Sequence, residues 1–284
     1  MKAYQKVTDY IINLIETSQE LPWQKSWVSS CMGNPVNLHS GKEYKGINSF
    51  ILQASRMHFG YQSKYFATFL QIKEKGGILK KGSKGIPVIF FKILNKEKDG
   101  KEVSIPFAQY STVFSLDLVE GIETGETFGL KQIDFNPIEA CEKIISNYSK
   151  MPVLKHEGQK AYYSPKHDYI NMPLPESFNS NAEYYSTLFH EIGHSTGHMT
   201  RLNRESLITP SFFGSHEYSK EELVAEFTSA FLCADAGIEK AVIDNSAGYI
   251  KGWLKALKND SKLLASACSK AQKASDYILN RGSV

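Results

Sequence analysis

Cysteine is scarce in this chain, and the four that occur, Cys31, Cys141, Cys233 and Cys268, are isolated from one another. No C-x-x-C pair is present, so the spacing offers no cysteine zinc site. Nothing marks a disulfide framework, which suits a reducing compartment. No apolar run is long enough to span a bilayer. The opening stretch, MKAYQKVTDYIINLIETSQE, sets acids inside an amphipathic helical pattern and lacks the apolar core of a signal peptide. The expectation is a cytoplasmic protein with no membrane contact. Internal repeats and low-complexity tracts are also missing. With 42% hydrophobic and 12% aromatic residues, the composition is that of a globular chain, not a disordered one.

Charge is nearly balanced, at +3 overall, but unevenly placed. Residues 1–130 hold 16 Lys/Arg against 12 Asp/Glu, a net +4, and residues 131–284 hold 17 against 18, a net −1. Within the first part, residues 56–101 carry 11 basic and 3 acidic side chains, a net +8. A basic half beside a near-neutral half suggests an anionic partner for the first.

The pattern of elements divides at about the same place. Residues 1–20 read as a helix with Tyr10, Ile11, Leu14 and Ile15 at helical spacing. A loop rich in Gly, Pro, Asn and Ser follows, then helices near Asn48–His58 and Phe66–Lys75. IPVIFFKIL and Tyr110–Leu116 read as strands on either side of a turn at Asp99-Gly100. GIETGETFGLKQIDFNP has little apolar periodicity and reads as a linker, with the boundary near residue 130. The second half predicts a helix at PIEACEKIISNYSKM and two short strands in AYYSPKHDYINMP. Further helices follow in the remainder. The whole is an α+β pattern in two domains, 1–130 and 131–284.

The chemistry-bearing stretch is STLFHEIGHSTGHMTRL, Ser186 to Leu202. His190, Glu191 and His194 form H-E-x-x-H. On a helix, His190 and His194 are four residues apart and leave the same face, so two imidazoles can hold one metal ion. Glu191 points away from that pair, where it can reach a water on the metal. Asn or Ser of NSNAE can cap the helix start.

A catalytic zinc needs a third protein ligand and an open position. The metzincin pattern would put a third histidine at position 200, but Thr200 is there, and no methionine follows Met199 to make a Met-turn. His198 lies just after Gly197, which reads as the end of the helix. In KEELVAEF, Glu222 and Glu226 are four apart and share a face, while Leu223, Phe227, Ala230 and Phe231 form an apolar face opposite. The preferred assignment is Glu222 as ligand and Glu226 as the acceptor behind a ligating histidine. Glu226, His198 and Glu221 remain alternatives for the ligand. An acidic helix start favoured by the helix dipole explains Glu221 and Glu222 without any metal.

In its second half, F-H-E-I-G-H-S-T-G-H with R-L-N-R, then F-G-S-H-E-Y-S-K-E-E-L-V-A-E, resembles the zincin-like metallopeptidase domain of the ArdC-type antirestriction proteins. L-P-W-Q-K-S-W, G-K-E-Y-K-G-I-N and K-K-G-S-K-G-I-P-V resemble that family's N-terminal domain. The resemblance runs from about Leu21 to Leu279. It implies a single-stranded-DNA-binding domain joined to a protease-like domain, in a protein of plasmids and conjugative elements. It carries the metal roles to His190, Glu191, His194 and Glu222, with one zinc ion per chain expected.

The residues of the first half fit nucleic acid as well. Trp23, Trp27, Tyr44 and Phe66 are candidates to stack on unpaired bases. Lys25, Lys42, Lys45, Lys80, Lys81 and Lys84 are candidates for phosphate contacts. Gly82 and Gly85 would let backbone approach a phosphate. Against this, tryptophan and tyrosine are more often core residues, and lysine runs are ordinarily solvated faces. Three functions compete: a DNA-binding protein that protects incoming DNA from restriction, a peptidase acting on DNA-associated proteins, and a non-catalytic module that zinc merely holds together. An intact Glu191 argues against the third, since a structural site needs no general base. If the second domain hydrolyses peptides, AYYSP is a candidate edge for substrate pairing. Tyr162 or Tyr163 would then face the tetrahedral intermediate, although either fits the core equally well. The sequence leaves the oligomeric state open.

Overall fold

The computed structural model describes residues 2–22, 34–98, 101–122, 137–208, 216–238 and 247–282. The described residues separate into two units. Of these, 2–18, 34–98, 101–122 and 257–265 form the first, and 19–22, 137–208, 216–238, 247–256 and 266–282 the second.

In the first unit, α1 (Lys2–Ser18) buries Ala3, Val7, Ile11, Leu14 and Ile15, a stripe with the three-to-four-residue spacing of one helix face. α2 (Gly46–Phe59) buries Phe50, Ile51 and Leu52. Both helices pack on a four-stranded sheet. Its strands are β1 (Val36–Asn37), β2 (Tyr65–Thr68), β4 (Ile86–Lys98) and β5 (Lys101–Ser115). They lie in the order β1-β2-β5-β4; β1 and β2 are parallel and the other pairs antiparallel. The β4–β5 register runs from Ile86 opposite Val113 to Lys98 opposite Lys101. Where β4 forms the sheet edge, Ile89 donates its N–H to Asn48 Oδ1 at 2.7 Å and accepts from Asn48 Nδ2 at 2.6 Å. A short pair, β3 (Ile78–Leu79) and β6 (Val119–Glu120), completes the unit's strands among the described residues.

Two expectations need correction here. The helix expected from Phe66 begins later: residues 65–68 form β2, and α3 (Phe69–Glu74) starts where Thr68 caps it. Thr68 accepts from the Gln71 N–H while the Gln71 side chain accepts from the Thr68 N–H, a capping box that fixes the start. Phe66 is fully buried on β2, so it cannot stack on a base.

The second unit joins α4 (Pro137–Asn147) to a three-stranded sheet of β7 (Val153–His156), β9 (Tyr169–Met172) and β8 (Tyr162–Ser164), in that order. α5 (Asn181–Ser195) and α7 (His216–Ala236) pack side by side, with α6 (Glu205–Ile208) between them in sequence. α8 (Ala247–Asn259) and α9 (Leu263–Ile278) follow in the chain. The core gathers Ile144, Tyr163, Ile170, Met172, Leu188, Phe189, Ile192, Leu232 and Ile278. Each large apolar side chain buried this way stabilises by roughly 1.5–3 kcal/mol. Cys141, Cys233 and Cys268 are buried as free thiols, and Cys31 lies outside the described residues. No helix among the described residues is long and apolar enough to cross a membrane.

Candidate metal centre

Helix α5 starts at Ser180, whose side chain accepts the Glu183 N–H at 3.1 Å. From that cap, Leu188, Phe189 and Ile192 turn into the core, and His190 and His194 turn toward α7. The two helices lie in close contact at Gly193. A Cβ there would stand 3.1 Å from the Ala225 Cα and 3.2 Å from the Thr228 Cβ. A side chain at this position would press on the α7 backbone, so glycine lets α5 lie against α7 beside the Glu222 and histidine group.

The three side chains converge. His190 Nε2 and His194 Nε2 are 3.1 Å apart, and each is 3.5 Å from a Glu222 carboxylate oxygen. Donors bound at about 2.0–2.1 Å to one tetrahedral ion stand roughly 3.3 Å from each other. The spacing therefore fits a shared divalent ion, and the donor set, two imidazoles and a carboxylate, suits one. Among the described residues, this is the group that could hold a metal. The side chains of His190, His194 and Glu222 keep 10%, 12% and 23% of their exposure, so the face remains reachable from solvent.

Behind each histidine stands another carboxylate. His194 Nδ1 is 3.4 Å from Glu221 Oε1, and His190 Nδ1 is 4.0 Å from Glu226 Oε1. Burial alone would push His194 down, but the Glu221 contact and the charges of Glu222 and Glu191 outweigh it and lift the ring to about 9. Burial would raise Glu221, yet His194 and Arg204 hold its carboxyl at about 2. Glu191 is buried on α5 beside the pair. A site so rich in carboxylate favours a cation.

Several features were absent from the sequence reading. Arg204 forks onto both oxygens of Glu221, and Ser206 donates to Glu221 Oε2 at 2.7 Å. Arg201 forks onto Asp168 at 2.7 and 3.0 Å, and Tyr163 donates to the same carboxylate. Both arginines lie in R-L-N-R, but their partners come from other elements, so local spacing carried no signal. Tyr163 is thus a buried anchor and not a residue facing a substrate, whereas Tyr162 on β8 is 40% exposed. His198 turns to Thr200, with Nδ1 and Oγ1 at 2.9 Å, and lies outside the metal group.

Of the nucleic-acid candidates, Trp23, Lys25 and Trp27 lie outside the described residues. Lys42, Lys45, Lys81 and Lys84 are exposed; Lys80 donates to the Asp117 carbonyl at 3.0 Å. Tyr44 is half-buried, its hydroxyl accepting from Asn37. Gly85 is required by packing: a Cβ there would meet Thr112 Cγ2 at 2.1 Å.

The family model described as the N-terminal domain of anti-restriction factor ArdC matches residues 1–114, and that described as a zincin-like metallopeptidase matches 139–270. A Sinorhizobium fredii protein, uncharacterized y4eC, is 32% identical over 97% of this chain and 91% of its own length. An Escherichia coli DNA primase TraC is 31% identical over 97% of this chain, but the match spans only 27% of the primase. Two crystal structures of the antirestriction ArdC protein from plasmid R388 are similar throughout, one metal-free and one Mn(II)-bound. They are 35% and 36% identical, each with a TM-score of 0.76, covering 98% of this chain and 97% of theirs. With identity and fold shared over nearly its whole length, this chain belongs to the ArdC family of antirestriction proteins.

Proposed function

We propose that this protein binds single-stranded DNA through its first unit and protects incoming DNA of a mobile element from restriction in the cytoplasm. Its second unit is a zinc peptidase-like domain with one ion per chain, held by His190, His194 and Glu222. The observation that carries the metal assignment is the convergence of those three side chains: the two Nε2 atoms are 3.1 Å apart, and each is 3.5 Å from one of the two Glu222 oxygens. Imidazole and carboxylate ligands suit zinc, and a Mn(II)-bound relative supports a divalent ion. The DNA reading is supported by the net +8 of residues 56–101 and by exposed Lys42, Lys45, Lys81 and Lys84.

A second reading, an active peptidase working on DNA-associated proteins, is favoured by Glu191. When bound, a divalent ion supplies Lewis acidity to a scissile carbonyl and acidifies water. Glu191, next to His190 but outside the donor group, takes the proton of the attacking water and passes it to the leaving amine. β8 is an edge strand of its sheet and offers backbone groups to an extended substrate.

Glu191→Gln separates the two readings, because it keeps shape and ligands but removes the base. We expect metal content, single-strand binding and protection from restriction to persist while any proteolysis disappears. Loss of protection with DNA binding intact would assign the function to the peptidase chemistry instead.

A further inference from the structure

After α5 the chain doubles back. Leu202 donates to the Thr196 carbonyl and Arg204 to the Gly197 carbonyl, each at 2.9 Å, with Asn203 at φ 48°. This reversal inserts the Arg204 side chain, 6% exposed, beneath the end of the H-E-x-x-H helix. Nη2 donates to the carbonyls of Gly193 at 2.9 Å and His194 at 3.3 Å, and Nη1 to Thr196 Oγ1 at 2.5 Å. The two carbonyls belong to the last helical turn, where intrahelical donors run out, and Thr196 is the residue that caps it. The same guanidinium forks onto Glu221.

We propose that Arg204 is a positioning residue for the metal centre, acting through Glu221 on His194. The inference rests on the reading of His190, His194 and Glu222 as ligands. Glu221 precedes Glu222 and carries the same carboxylate, a group able to ligate a divalent ion. Its Oε2 is occupied by Arg204 Nε and Ser206 Oγ, and its Oε1 by Arg204 Nη2 and His194 Nδ1. So engaged, it cannot swing into the site. It accepts the Nδ1–H of His194 at 3.4 Å, which turns Nε2 to the Glu222 side. Among the described residues, His190 Nδ1 has no equivalent anchor at hydrogen-bond distance; Glu226 stands 4.0 Å away. The His194 half of the site is therefore held the more tightly, and Arg204 holds it. Gly197 is part of the arrangement: a Cβ there would lie 2.9 Å from the Arg204 guanidinium carbon.

The test is the Zn2+ affinity of the full chain, measured by competition with a chromophoric chelator, beside the thermal midpoint of the metal-free protein. Arg204→Gln should bind Zn2+ about 10–100-fold more weakly than wild type. Arg204→Lys, which keeps the charge but loses the fork, should weaken binding in the wild-type background. It should add nothing in Glu221→Gln, because the two residues act in series. A folded Arg204→Gln with wild-type affinity overturns the proposal, as do additive effects in the double variant. A purely structural role would lower the midpoint and leave the affinity of folded molecules unchanged. If Arg204→Gln does not fold, Arg204→Lys and Ser206→Ala decide: unchanged affinity in both overturns the proposal. A His190→Ala protein that retains its Zn2+ defeats the ligand assignment itself, a result distinguishable from any Arg204 outcome.

Discussion

Glu221 and Glu222 are consecutive in the chain, yet they meet opposite ends of one imidazole: Glu221 lies 3.4 Å from Nδ1 of His194 and Glu222 lies 3.5 Å from Nε2. One carboxylate faces the ring's back and the other its front. Their roles follow from that placement, and substitutions distinguish them.

Glu222→Ala should abolish stoichiometric divalent metal, as should His190→Ala or His194→Ala. Glu226→Ala, which removes an acceptor standing 4.0 Å from His190 Nδ1, should weaken affinity less than Arg204→Gln does, without abolishing binding. Elemental analysis of dialysed protein checks this. Full occupancy in Glu222→Ala, with loss in Glu226→Ala, would exchange the two assignments.

Binding of the full chain to single-stranded DNA should weaken as salt rises, since lysines displace condensed counterions. Lys81→Ala with Lys84→Ala should reduce the slope of log affinity against log salt by about 1.4, from roughly 0.7 per phosphate contact. Lys80→Ala should do less, because that ammonium is already engaged by the Asp117 carbonyl. Fluorescence anisotropy over a salt series measures all three; a slope near zero in wild type refutes the electrostatic footprint.

Gly193→Ala tests the helix approach. Alanine gains about 1 kcal/mol of helix propensity over glycine, but overpacking costs about 1–3 kcal/mol. Because the obstruction is backbone, the Ala225 Cα at 3.1 Å, the second effect should prevail. We expect net destabilisation of about 1 kcal/mol in urea titration, with reduced metal affinity as Glu222 moves from the histidines.

The Asp168–Arg201 pair gives a pH signature. Burial works against the Asp168 carboxylate, but the Arg201 fork and the Tyr163 hydroxyl hold its pKa below the usual value. A carboxyl depressed in the folded state stabilises fully above its unfolded pKa, about 3.9, and loses that contribution as pH falls toward the folded pKa. Calorimetry should find wild type more stable than Asp168→Asn by a margin that is flat from about pH 7 to 5. The gap should close below about pH 4. A gap that widens in acid would contradict the pairing.

Much of the site was readable in the chain because it is local. His190 and His194, and Glu222 and Glu226, each sit four residues apart on one helix, and helical geometry alone gives each pair a common face. Ser180 capped its helix, as the NSNAE stretch suggested. Glu221 was not readable as an anchor, because an acid near a helix start is equally explained by the dipole. Arg204 depends on a chain reversal after Gly197 that no periodicity announces. β7 pairs in parallel with β9, and four residues, VLKH, hold too little alternation to register as a strand. Phe66 failed as a stacking residue because aromatic type says nothing of which pleat face it occupies; the β2 register turns it inward.

The Asn48 amide bonded to Ile89 has a bearing on self-association. A sheet edge is a template on which a second chain can add a strand. With a primary amide supplying one acceptor and one donor in the geometry of a peptide group, the outward N–H and C=O of Ile89 are already paired. A chain pairing with β4 across Ile89 must first evict that side chain, so extension of the sheet at this position is opposed by a single residue borrowed from a neighbouring helix.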